Sequence, residues 1–165
     1  MCMEAMTGSL ESTHQLFDMV LNRTPQERLD WKPAMPGGDP TSVLEVVRHL
    51  IAGEGDMRSI VAEGKMPEME SAPSADWSAS SEFARHGPAA GVSDLEGLKQ
   101  LIADERKKTA EAIRGVPPNA WGDVIETPFM TATRQTFLDI FVQHWAYHAG
   151  QISYVQRLYG DLGFG

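Results

Sequence analysis

Apolar residues recur at helical spacing in four stretches of the chain, and Pro or Gly punctuates the boundaries between them. In residues 7–23, Leu10, Phe17, Val20 and Leu21 share a face, and Pro25 lies just beyond, where a helix must already have ended. The next segment, TPQERLDWKPAMPGGDP, has room for one helical turn over 26–29 before its Pro and Gly residues force a loop. A second helix is predicted from Thr41 or Ser42 as N-cap. Glu45 is placed to close a capping box, and Val43, Val47, Leu50, Met57 and Ile60 carry the period to Gly64.

Residues 65–92 are rich in Pro, Ser, Gly and Ala and hold no sustained period, which predicts a long connection of the kind that serves as a lid or mobile segment. Ser93 as N-cap, with Glu96 three residues on, opens a third helix. Its apolar face is Leu95, Leu98, Leu101, Ile102, Ala110 and Ile113, and Gly115 and Pro117 stop it. The segment WGDVIETPFMT reads as a short extended piece or hairpin, and the last helix starts near Thr131 or Thr133 and runs to Tyr159, with Gly160 as its C-cap.

Four long helices with a long crossover between the second and third predict an all-α four-helix bundle, a single domain over residues 1–165. The last helix is apolar on two sides. Phe137, Ile140, Phe141, His144, His148, Gln151 and Val155 form one stripe, and Leu138, Val142, Trp145 and Ala149 form another. A helix apolar over most of its circumference needs cover on both sides, which predicts a homodimer contact through it.

Composition adds exclusions. With 42% hydrophobic and 22% charged residues the chain can bury a core and is not of the disordered class. The net charge is -9, and the longest basic run is Arg106-Lys107-Lys108, which argues against DNA or RNA as a partner. Cys2 is the only cysteine, so there is no internal disulfide and no cysteine metal cluster, and a reducing compartment is expected. The N-terminus lacks a signal-peptide pattern and no stretch approaches the roughly 20 apolar residues of a membrane span, so the expected location is cytoplasmic.

The candidate chemistry lies in the last helix. His144 and His148, at i and i+4 in QHWAYHAGQ, face the same way, so with one donor from a neighbouring helix they can hold a divalent metal on three nitrogens and leave a position open. An HxxxH pair alone is a short signal, which two core-edge histidines with separate polar partners also produce. Trp145 stands where the HExxH motif has its general-base glutamate, which removes that route to peptide hydrolysis.

His49, in VLEVVRHLIAGEG, falls roughly 100° from the centre of the apolar stripe of its helix. It shares that flank with Gly53 and Asp56. By amphipathicity alone it reads as a surface histidine, yet Ala52 and Gly53 permit close approach of another helix, and Glu45 one turn earlier is placed to orient its free ring nitrogen. Glu54 lies in the middle of the apolar stripe, a costly place for a carboxylate that is not paired or ligated, which makes it a candidate metal ligand or general base. His14, between Leu10 and Phe17, reads as a core-edge histidine or as a second candidate base facing the same cavity. His86 receives no role.

The N-terminal helix followed by LDWKP, the helix with RHLIAGE and the C-terminal HWAYHAGQISYVQRLYG together resemble the DinB/YfiT-like family of metalloenzymes over nearly the whole chain. The resemblance implies a four-helix bundle, usually dimeric, with a divalent ion such as nickel or zinc on three histidines. By motif these are His49, His144 and His148. Gly150 and Gln151 match the family's GQ, while Ala149 stands where many members carry Arg.

Characterised members include S-transferases that use bacillithiol or mycothiol and a maleylpyruvate isomerase. The function implied is therefore a divalent-metal-dependent S-transferase with a low-molecular-weight thiol as co-substrate, in which the metal lowers the thiol pKa. The partner expected for such a metal-dependent enzyme is a small-molecule substrate. Cys2 is not needed for this, and Arg48, Arg58 and Arg134 are the cations available for a cofactor carboxylate. Two alternatives stand beside it: metal-assisted hydrolysis with Glu54 or His14 as base, and a non-catalytic bundle that binds or senses metal. The lack of a GxSxG, P-loop or dinucleotide fingerprint removes other enzyme classes without deciding among these.

Overall fold

The computed structural model describes residues 3–34, 40–66 and 87–163, with side chains from residue 7 onward. Among these, four long helices form on the predicted stripes: α1 (Met3–Leu21), α2 (Val43–Arg58), α3 (Leu95–Gly115) and α4 (Arg134–Leu158). Their directions follow from the side chains that meet. His14 and Phe17 lie against Trp145 and Gln156 donates to the Val20 carbonyl, so α1 and α4 are parallel. Arg134 donates to the Val61 carbonyl while His49 meets His144, so α2 runs against α4. Arg106, midway along α3, pairs with Asp18 in the last turn of α1, and Gln26, just past the end of α1, bonds Leu95 at the start of α3. That order requires a crossover between α2 and α3, which residues 64–94 make. The part of the expected lid at 67–86, with His86, lies outside the described residues.

Local chemistry sets the helix ends. Ser42 caps α2 by accepting from the Glu45 N–H (3.2 Å), and Glu45 Oε2 accepts from the Ser42 N–H (2.9 Å), closing the expected capping box. Glu45 also pairs with Lys32 at 2.7 Å, so it does not orient His49 as the sequence suggested. After Arg58 the helix widens into a π-helical turn, Ser59–Glu63, which ends at Gly64 with φ 75°, a backbone conformation that favours glycine. Helix α3 starts one residue later than expected. Asp94 is its N-cap, accepting from the Gly97 N–H at 2.7 Å, because its carboxylate reaches that donor. Thr133 caps α4, and Gly160 follows its end at φ 97°.

The expected hairpin is present as β1 (Val124–Glu126) and β2 (Thr131–Thr133), antiparallel with Ile125 opposite Ala132. It brings Phe129 and Met130 to the groove between α2 and α4. The core joins all four helices through buried residues such as Phe17, Val47, Leu50, Leu98, Leu138, Phe141 and Ile152. Trp145 is 1% exposed, Leu138 and Ala149 are as deeply buried, and Val142 is half-buried. The second stripe of α4 is thus covered within the chain, mainly by α1, and needs no second copy of the protein. No helix among the described residues is long and apolar enough to cross a membrane.

Candidate metal centre and its pocket

The antiparallel packing of α2 on α4 brings His49 opposite the His144/His148 pair. His144 Nε2 lies 3.0 Å from His49 Nε2 and 2.9 Å from His148 Nε2, and donor atoms of the three rings all fall within 4.8 Å of one another. Gln151 Oε1 accepts from His148 Nδ1 at 2.8 Å, which leaves the inward Nε2 of that ring with its lone pair. Burial, followed by the neighbouring His148, pulls His49 down to about 4. Burial, then His148 and His49, pulls His144 down to about 3, and burial lowers His148 against the opposing effect of Gln151. All three imidazoles are therefore neutral near pH 7, the state that ligates metals.

The donor set fits a divalent ion. Three neutral nitrogens face one space, close enough together to share one ion at metal–nitrogen distances of about 2.0–2.1 Å. His49 Nδ1 is buried without a partner among the described residues. Lone pairs gathered this way gain little from each other and much from a shared cation.

The histidines head a pocket of about 460 Å³ between α2 and α4, walled by apolar side chains including Met57, Ile60, Phe129, Phe137 and Ile140. Asp56 also lines it, as do Tyr147 and Gln151. Sequence reasoning placed Asp56 on the flank of His49 but gave it no role. The signal was its position seven residues, two helical turns, after His49.

The other sequence candidates lie elsewhere. Glu54 is fully buried on the opposite side of α2 and accepts from Trp145 Nε1 at 3.1 Å. Burial raises its pKa to about 7 against the pull of Thr109, Trp145, Arg106 and Arg58. His14 packs edge-on against Trp145 with centroids 4.9 Å apart, and burial, helped by Arg106, lowers it to about 3. Neither lines the pocket. The three arginines considered for a cofactor carboxylate are committed to the protein itself. Arg48 donates to the Val92 carbonyl, Arg58 pairs with Glu105 at 2.8 Å, and Arg134 donates to the carbonyls of Val61 and Ala120.

The profile of the DinB superfamily matches residues 9–152. Among curated proteins, none matches the chain. Solved structures similar to it include the colibactin self-resistance protein ClbS in complex with double-stranded DNA, at 15% identity and a TM-score of 0.70, covering 94% of this chain and 95% of that one. A mutant of mycothiol-dependent maleylpyruvate isomerase is similar at 13% identity and a TM-score of 0.66. The alignment covers 92% of this chain but 61% of the isomerase. A conserved protein from Enterococcus faecalis aligns at 19% identity and a TM-score of 0.65, over 94% and 95% of the two chains.

The ClbS complex corrects the expectation that nucleic acid is no partner. Net charge sums over the whole surface, whereas a duplex is held by the local arrangement of donors and cations, so an acidic total does not exclude binding. Two residues of the longest basic run are engaged within the chain. Arg106 stacks over Trp145 at 4.5 Å and pairs with Asp18, and Lys108 pairs with Glu105 at 2.6 Å.

Proposed function

The chain belongs to the DinB superfamily, and from that premise we propose a divalent-metal-dependent enzyme that transfers a small thiol to an electrophilic substrate. The observation that carries the proposal is the convergence of three neutral imidazoles at the head of an apolar pocket. His49, His144 and His148 would hold the ion, nickel or zinc in the first instance. Gln151 holds the His148 ring in the tautomer that presents Nε2 inward. A divalent ion held there supplies the positive charge that lowers the pKa of a coordinated thiol or water. The pocket walls exclude bulk water from the electrophile and keep it beside the histidines. A thiol is supported by the likeness to a mycothiol-dependent isomerase, whose activity belongs to a longer chain than the aligned part.

The test is metal content of untagged protein, followed by thiol consumption with a generic electrophile in the presence and absence of a chelator. Thiol-dependent turnover abolished by chelation supports transfer. Chelator-sensitive ester or amide cleavage indifferent to added thiol turns the reading to metal-assisted hydrolysis, and metal without turnover turns it to a binding or sensing bundle. A second partner class, duplex DNA, is supported by the ClbS complex. Fluorescence anisotropy with a labelled duplex at low and physiological salt tests it, since binding through phosphates weakens steeply as salt rises.

A further inference from the structure

Asp56 is the acidic group among the described residues that line the pocket, and nothing in the catalytic reading uses it. It follows His49 by two turns of α2, about 10 Å along the axis at 1.5 Å per residue, on the flank that also carries Gly53 and Ile60 into the pocket. Its side chain is partly buried, and among the described residues it has no hydrogen-bond donor and no cation beside it. The neighbouring Arg58 turns away to Glu105 and Thr109 on α3. A carboxylate losing water without gaining a partner is held at a cost, and burial accordingly pushes the Asp56 pKa up. No Lys or Arg is among the described residues lining the pocket, and Arg48, Arg58 and Arg134 are all engaged elsewhere.

We infer that the pocket selects an apolar substrate whose far end carries an amine or other N–H donor, received by Asp56, and disfavours one that ends in a carboxylate. The inference rests on the reading of this pocket as a substrate site and names the substrate class for it. Met57, Ile60, Phe137 and Ile140 provide contact for a hydrocarbon or aromatic body between the two ends. A cation at Asp56 restores the interaction that burial removed, while an anion there meets the like charge in a partly dry setting. Asp56 is in this account a specificity-determining residue with no part in the chemical step.

The experiment uses the full chain with its bound metal and Nile red as a neutral fluorescent probe of the pocket. Octylamine, octanol and octanoate are compared as displacers near neutral pH, in the unmodified protein and in Asp56→Asn and Asp56→Glu. Octylamine is expected to displace the probe at about tenfold lower concentration than octanol, the scale of one charge-assisted hydrogen bond, with octanoate the weakest. Asp56→Asn should abolish the amine preference and Asp56→Glu should retain it. Equal displacement by all three, a preference that survives in Asp56→Asn, or no displacement at all overturns the inference. Because Asp56 is two turns from the histidines, the preference should persist after chelation. Thiol consumption, which chelation abolishes, decides the catalytic reading separately, so the two can fail independently.

Discussion

Among the described residues two buried polar clusters flank the contact between α2 and α4, and only one of them opens onto the pocket. On one side His49, His144 and His148 aim the same kind of atom at one point, at the head of a pocket. On the other side Glu54, His14 and Arg106 gather around the Trp145 ring, each using it differently: Glu54 accepts from its N–H, His14 packs on its edge and Arg106 lies over its face. Both clusters hold groups with strongly displaced pKa values, Glu54 at about 7 and His14 at about 3 against His49 at about 4 and His144 at about 3. A displaced pKa therefore reports burial. Convergence of donors on a space that a ligand can enter is what separates the site from the core.

Metal binding should break the symmetry of the two clusters most sharply. His148→Ala should lose most bound metal while His14→Ala retains it, measured by metal analysis after gel filtration. Stoichiometric metal in a His144→Ala/His148→Ala double variant would remove the assignment. Stability should show the reverse. Trp145→Ala is expected to cost about 3–5 kcal/mol in urea unfolding of the metal-free protein, because it opens the core. A loss below about 1 kcal/mol would show that the ring is not the hub of the closed cluster.

The pH dependence sharpens the comparison further. Glu54 has a folded pKa raised from 4.5 to about 7, so its contribution is fully present below pH 4.5 and is lost as pH rises through 7. Glu54→Gln should therefore gain on the unmodified protein between pH 5 and pH 8, by about 2–3 kcal/mol, while still accepting from Trp145. An identical stability difference at both pH values would show that Glu54 does not titrate there. The histidines have the opposite sign. Their lowered pKa values give stability that is present above pH 6.5 and lost as pH falls toward 4 and 3.

The smallest effect expected is at Gln151. Gln151→Ala should weaken metal binding by about 10–100-fold through loss of the bond that fixes the His148 ring, with Gln151→Glu restoring affinity. Unchanged affinity in a chelator competition would assign Gln151 to the pocket wall alone.

Apolar spacing and helix punctuation by themselves determined the four helices, the capping box at Ser42, the hairpin near Val124 and the crossover between α2 and α3. Each is a local property, set by which residues recur on one face and by what stops them. The His144/His148 pair was equally local, since i and i+4 share a face in any helix. His49 was not: on its own helix it read as a surface residue, and family resemblance rather than periodicity joined it to the pair. The angle at which α2 meets α4 decided that His49, Gly53 and Asp56 line the pocket while Glu54 enters the core. The same packing covered the second stripe of α4, which alone had called for another subunit. A periodic pattern states which residues share a face; which neighbour covers that face, and whether a polar group on it finds a partner or a cavity, is a property of long-range packing that no single helix encodes.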